Sequence, residues 1–497
     1  MSTRTFSLVL GVLANLLLTG HAEPEKKAPK PSLKVAGIFA DHMVLQQQAK
    51  APIWGTATAK AEVTITTSWN QETTTTTTGH DGRWKTTLDT PSAGGPFQIQ
   101  ITSGSSKIQL KNVLIGEVWI CSGQSNMQWK MRGFGLDHWK DDVAKAKHPG
   151  IRFCQVPQVL ALETQDDMRA NWSACTPQTV LNFSAVAYFF GSRLHQELDV
   201  PIGLISTNWG GSSAEAWISP EKLGREFPEF DKTLAGYPAI AESSGALYAG
   251  KKGVPKGLNQ RSPAVLYNSM IHPLIPYAFR GVIWYQGESN VRNPSQYARL
   301  FPALIEDWRT RWGAGDFPFY FVQIAPFHYK QEPIPVAFLR EAQMKTLSLP
   351  RTGMAVTMDV GDATNIHPKK KKPVAERLAL MALARDYGRS DLVDSGPLYQ
   401  DHEVQAGSIR IKCTGTGSGL ASSDGEPLSH FTIAGKDRKF VPAEATIDGD
   451  TLIVSSDKVR TPVAVRFAWG NADAPNFANK EGLPASSFRT DAWPIQP

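Results

Sequence analysis

The sequence predicts an α/β protein in which a parallel sheet, covered on both faces by helices, is flanked by N-terminal and C-terminal β-sandwich-like domains. Three observations lead there. Residues 33–112 hold short alternating runs broken by turn residues, the pattern of a small β-domain. Residues 113–389 alternate apolar strand-like runs with helical periodicity. Residues 390–497 return to short strands between Gly, Ser and Asp turns. A chain of 497 residues is also long enough for two or three domains.

Taken in order, residues 1–22 read as a signal peptide. Arg4 supplies the charge, Phe6 to Leu18 is a short apolar core, and Gly20-His21-Ala22 offers a small-x-small cleavage site. The run is too short for a membrane span, so export to a secreted or periplasmic location is expected. Residues 23–32 (EPEKKAPKPS) have the composition of a flexible linker. In 33–112 the runs Lys34 to Ile38, Val63 to Thr66 and Phe97 to Ile101, with a Thr-rich strand at 73–78, suggest a sandwich. The parallel strands are expected at 113–120, 202–208, 281–285, 319–325 and 354–358. Helices are expected at 185–198, 295–312 (with a kink at Pro302), 334–347 and 373–386. The Gly/Pro-punctuated segment 221–262 has no clear period and reads as an insertion or lid.

Composition excludes several classes. Without 1–22 the chain keeps 51 basic against 46 acidic residues, Arg4 being the only charge removed, and the excess is scattered. No nucleic-acid footprint follows. Cys121, Cys154, Cys175 and Cys413 form no CxxC pair, so a zinc site is not expected; no other metal and no cofactor is expected either. Cys154 and Cys175 are candidates for a disulfide or for two buried thiols.

Open α/β sheets bind ligands beyond the carboxyl ends of their strands. Four of the expected strands run into unusual polar text: Ser122-Gly123-Gln124-Ser125-Asn126, Asn208-Trp209-Gly210-Gly211-Ser212-Ser213, Gln286-Gly287-Glu288-Ser289-Asn290, and Asp359 to Pro368. Together they hold the parts of acyl transfer. A serine hydroxyl is a weak nucleophile without a base in reach, and His367 can serve Ser125 in that role. A tetrahedral oxyanion needs donors, which the N–H of Ser125, a glycine N–H from Gly210 or Gly211 and the Gln286 amide could supply. Each motif alone has a plainer structural role as a turn, a loop or a helix cap. The G-x-S-x-G elbow of α/β-hydrolases is absent, since position 127 is Met.

GEVWICSGQSNMQW (116–129), the Ser206 to Gly211 stretch, WYQGESN (284–290) and NIHPKKK (365–371) resemble the sialate O-acetylesterase family, within the wider SGNH-type hydrolases. FADHMVLQQ (39–47) and the stretch 469–493 extend the resemblance over nearly the whole chain after residue 22. The resemblance implies an SGNH-like three-layer α/β/α core and removal of O-acetyl groups from sugars through an acetyl-serine intermediate. It makes Ser125 the nucleophile, His367 the base, and Gly210, Gly211 and Gln286 the oxyanion partners.

Many SGNH-type enzymes carry an Asp three residues before the histidine, where this chain has Thr364. Asp362 is the first choice for the orienting acid, Asp359 the second, and a backbone carbonyl the third. Glu288, Trp209 and Lys369 are candidate substrate contacts, the lysine run 369–372 because a sialic acid carries a carboxylate. Trp129 and Tyr285 could stack on a sugar, although core packing would also explain such aromatics. Rival readings are an acetylxylan or other polysaccharide acetylesterase, and a catalytically inert carbohydrate-binding protein.

Overall fold

The computed structural model describes Met1 and residues 33–135, 137–250, 253–329 and 336–494. Met1 apart, the expected signal peptide 1–22 and linker 23–32 lie outside the described residues. The fold is mixed α/β, with one large mixed sheet and several smaller ones.

An 18-residue strand, Ser106–Gly123, organises the large sheet. Its first seven residues, SKIQLKN, are mostly half-buried or exposed, while the following eleven, VLIGEVWICSG, are all buried. A half-solvated surface suits the first composition, and a strand covered on both faces suits the second. The early part pairs antiparallel with Gly94–Ser103, and the later part pairs parallel with Ile202–Asn208 and Gly281–Tyr285. The composition change at 112/113 therefore falls inside one continuous strand, close to where the pairing direction changes.

Across the sheet the order is Asn171–Cys175, His148–Gln155, Ile202–Asn208, Ser106–Gly123, Gly281–Tyr285, Phe319–Val322 and Thr352–Ala355. Neighbours are parallel except for the outermost pair, Asn171–Cys175 against His148–Gln155. The sequence gives little sign of those two strands: Pro149-Gly150 reads as a turn, and NWSAC is short and polar. Val44–Gln46, Glu62–Thr67, Thr73–Thr77 and Gly94–Ser103 extend the same sheet on the N-terminal side. The sheet is thus mixed, where strand–helix alternation alone predicts a parallel one.

Alternate side chains along the strands enter two separate apolar clusters, as the pleat demands. Val118, Ile120, Val282, Trp284, Phe319 and Phe321 pack with Leu300, Phe301, Leu304 and Trp308 of the helix Pro294–Trp312. Trp119, Cys121, Ile283, Tyr285, Tyr320 and Val322 pack with residues of Ala185–Leu198 and Lys371–Asp386. The first of these two helices starts where Ser184 Oγ accepts the Ala187 N–H at 3.1 Å. Pro294–Trp312 continues through Pro302 as one helix. The stretch 221–262 contains helices such as Asp231–Ala235 and Tyr237–Ser244, then a strand, Leu247–Ala249, paired with Val159–Ala161.

Beyond residue 390 lie two four-stranded sheets and a two-stranded ribbon. They are sewn to the centre by Gln323 Nε2 donating to Ser486 Oγ at 2.8 Å, Arg340 Nη2 donating to the Gly470 carbonyl at 2.6 Å, and an Arg489–Glu341 ion pair at 3.1 Å. All four cysteines are free thiols, Cys154 and Cys175 included. Among the described residues no helix is long and apolar enough to cross a membrane.

The long strand ends on Gly123, at φ +133°. A Cβ there would stand 2.2 Å from the Tyr285 carbonyl oxygen of the neighbouring strand. Only glycine tolerates both that dihedral and that approach. Gly123→Ala is expected to lower the unfolding free energy by at least about 1–3 kcal/mol, read from urea titration. Gly224→Ala, in an exposed helical turn with open space around it, is expected to be neutral or to stabilise by up to ~1 kcal/mol. Equal effects of the two would contradict this account of the strand end.

Candidate active site

Gly123 delivers the chain to a single helical turn, Ser125–Gln128. Gln124, immediately before it, is fixed to the next strand end. Its N–H donates to the Tyr285 carbonyl at 2.9 Å, and its Oε1 accepts from the N–H groups of Gly287 and Ser289 at 3.3 Å each. Ser125 is half-buried, and its own N–H has no acceptor among the described residues.

Asn126 is buried on the inner side of this turn. Its Nδ2 donates to Glu288 Oε1 at 2.6 Å and to the Ile366 carbonyl at 3.0 Å, while its Oδ1 accepts from Lys371 Nζ. The bond to Ile366 spans 240 positions of sequence. It sets residue 366 against residue 126 and so brings His367 to the same place as Ser125. The two line one open pocket of about 300 Å³ with Gln128, Trp129, Lys130, Arg132 and Gly133. Trp129 lies over the imidazole, ring centroids 4.4 Å apart, and is itself stacked on Phe134 at 4.8 Å.

Burial, and after it the Lys371 ammonium, push the His367 imidazole below its ordinary range. At neutral pH the ring is therefore uncharged and able to accept a proton. The structure does not join Asp362 to this ring. Asp362 Oδ1 accepts the Thr364 hydroxyl at 2.8 Å and the N–H groups of Thr364 and Asn365 at 2.9 and 3.1 Å, so it shapes its own turn. These bonds, the Thr364 hydroxyl first, hold its carboxyl below the usual range. Asp359 is paired with Arg377 at 2.5 Å. Among the described residues no hydrogen bond reaches the His367 ring.

Gly210 abuts the Ser125 turn: a Cβ there would come 3.4 Å from Ser125 Cβ and 2.9 Å from Gln128 Oε1. Its N–H donates to that Gln128 oxygen at 2.6 Å. Gly211 follows at φ +76°. Gln286 is not presented to Ser125. It is fully buried, and its Nε2 donates to Asn290 Oδ1 at 2.7 Å and to the Ser212 carbonyl at 3.3 Å, which spends both N–H groups inside the protein.

The candidate substrate contacts also move. Trp209 is a core residue, 5% exposed. Tyr285 is buried as well, which leaves Trp129 as the aromatic of the three on the pocket. Glu288 is buried beneath the pocket, and burial pushes its carboxyl up. The lysine run is divided by the helix that begins within it: Lys369 is exposed away from the pocket lining, Lys371 is fully buried, and Lys372 pairs with Asp142 at 3.0 Å. Sequence reading passes over Asn126, Gln128, Lys130 and Arg132, and takes Lys371 only as one of the run 369–372 offered to the substrate. Adjacency to Ser125 within GQSNMQWKMR is the only local signal for the first four, and Lys371 is one of four identical neighbours.

Residues 115–242 and 255–383 match the family described as carbohydrate esterase, sialic acid-specific acetylesterase. Over the full length, the chain is similar to the sialate O-acetylesterase of Homo sapiens, at 31% identity covering 97% of this chain and 96% of that one. It is similar to the sialate O-acetylesterase of Mus musculus at 32% identity, covering 88% and 89%. A crystal structure of a carbohydrate acetylesterase from Xanthomonas citri superposes with a TM-score of 0.82 and 36% identity, covering 93% of this chain and 100% of that one. Ser125, Asn126, Gly210, Glu288 and His367 all fall within the matched segments.

A histidine titration followed by NMR, with His367→Asn to assign the signal, is expected to give His367 a midpoint below the ordinary value of about 6.5. A midpoint at or above that value would remove the physical basis for a neutral base here.

Proposed function

The chain belongs to the carbohydrate esterase, sialic acid-specific acetylesterase family, and from that premise we propose that it is a serine esterase removing O-acetyl groups from sialic acids. The observation that carries this reading is the meeting of Ser125 and His367 on one open pocket. Apolar clusters on the two faces of the sheet support an SGNH-like three-layer α/β/α core. The β-rich segments at 33–112 and 390–497 are taken as flanking domains. The segment at 1–22 supports export, to a secreted or periplasmic location.

In the proposed reaction, Ser125 Oγ attacks the acetyl carbonyl while His367 takes its proton. The carbonyl oxygen, gaining charge, displaces Gln128 Oε1 from the Gly210 N–H and receives the free N–H of Ser125 as well. Collapse expels the sugar oxygen, which leaves with the proton from His367. Water then attacks the acetyl-serine with His367 again as base, and acetate departs as Ser125 recovers its proton.

The pocket rim favours an anionic sugar. Lys130 and Arg132 line it, no carboxylate does, and the exposed Arg132 guanidinium has no acidic partner among the described residues. A planar guanidinium suits a sugar carboxylate better than it suits neutral acetylated xylan.

Ser125→Ala is expected to reduce acetate release from 9-O-acetyl sialic acid by at least about 10³-fold; wild-type rates would remove Ser125 from its role and leave another nucleophile such as Ser122, whereas no release by the unaltered chain would leave an inert binding protein. Arg132→Gln is expected to raise KM for that substrate by roughly tenfold, the worth of one charge-assisted hydrogen bond, with p-nitrophenyl acetate hydrolysis unchanged. A preference for acetylated xylan, or equal effects on both esters, would overturn the sialate assignment.

A further inference from the structure

Lys371 takes no part in the acyl-transfer steps, yet its ammonium is fully buried at the start of the helix Lys371–Asp386. Lysine is rarely buried without a compensating partner. Here the surroundings are specific. Nζ donates to Asn126 Oδ1 and lies 5.5 Å from the centre of the Tyr285 ring. The Glu288 carboxylate is the facing charge: Asn126 Nδ2 holds its Oε1 at 2.6 Å, and its Oε2 is buried without a partner.

An amide has one accepting end and one donating end. With its oxygen towards the ammonium, Asn126 can give both N–H groups away, one to Glu288 and one to the Ile366 carbonyl. Flipped, it would set NH₂ against an ammonium and oxygen against a carboxylate and a carbonyl. Lys371 therefore acts with Glu288 to select the one orientation of Asn126 that ties residue 366 to residue 126, and it is the partner that holds the amide oxygen. We propose that Lys371 is a positioning residue for the Ser125–His367 pair, acting through the Asn126 side chain. The proposal rests on the esterase reading only where turnover is the readout.

The same ammonium has an electrostatic consequence. Lys371 contributes to lowering the His367 imidazole, after burial. Burial brings Lys371 itself down to about 7, against the opposing pull of Glu288. It is thus charged across the more acidic range where His367 takes up a proton. Glu288, Tyr285 and Tyr329 are the titratable groups around this cluster, and Lys130 and Arg132 share the pocket with His367. Removing the Lys371 charge should raise the His367 midpoint. Activity that needs neutral His367 would then fail at a higher pH as the medium is acidified.

The test compares Lys371→Met and Lys371→Arg in the full chain, using p-nitrophenyl acetate turnover against pH and the His367 NMR titration. For Lys371→Met, kcat is expected to fall by up to about 10²-fold with KM nearly unchanged. The acid limb and the NMR midpoint are both expected to move up by roughly 0.5–1 pH unit. Lys371→Arg, which keeps the charge, should leave the limb where the wild type has it and recover part of kcat. If Lys371→Met does not fold, Lys371→Gln, which keeps a donor towards Asn126 Oδ1 and removes only the positive charge, is expected to show the same upward shift. An unmoved midpoint in whichever variant folds, or wild-type kcat in Lys371→Met, would overturn the proposal. The NMR readout needs no turnover, so a failed esterase assignment and a failed positioning role give different results.

Discussion

A single buried amide holds the two halves of this site together. Asn126 sits on the turn that carries Ser125, yet its side chain binds Ile366, Glu288 and Lys371, which belong to two other strand-end segments and a helix start. Hydrogen bonds with an ionised partner in a dry interior are strong and directional. Each of these contacts restricts the same side chain, so the loops carrying Ser125 and His367 have little freedom to drift apart. Proximity of reacting groups depends on that kind of constraint more than on the groups themselves.

The constraint needs a rigid base, and the sheet provides it. Ser106–Gly123 is central, with a parallel neighbour on either side, and its end approaches Tyr285 so closely that a side chain at position 123 would not fit. Gln124 then spends its backbone and side chain on the end of that neighbouring strand. The serine turn is thereby set on two adjacent strand ends before any side chain of the site is considered. At the opposite end of the same strands, Glu117 and Arg280 form a doubly hydrogen-bonded pair at 2.7 and 2.9 Å, which fixes their register from below.

Charge around the site is sorted by burial. Beneath the pocket, Glu288 and Lys371 face one another out of contact with water, and burial works against the charged form of both, raising the carboxyl and lowering the ammonium. At the rim, Lys130 and Arg132 remain in reach of solvent and of any anionic ligand. The interior lysine is spent on an internal hydrogen bond to Asn126, whereas the cations at the mouth face the open pocket. The two roles fall to residues that composition alone does not distinguish.

Much of this was legible in the sequence. Five of the parallel strands and the helix Ala185–Leu198 follow from apolar runs and helical period, because those patterns record local burial. Ser125 and His367 were marked by small polar text at strand ends and by the resemblance of their motifs. What the sequence left open are matters of direction and partnership. Gln286 and Asp362 have the right chemistry at plausible positions, but one turns inward to Asn290 and Ser212 and the other bonds to its own turn. Asn126 and Lys371 sit among ordinary neighbours, and nothing local tells one lysine of four that it will be buried. Residue types and their periodicity determine which elements form and which functional groups reach the strand ends. Only tertiary packing decides which of those groups share a pocket, since a hydrogen bond across 240 positions leaves no local trace.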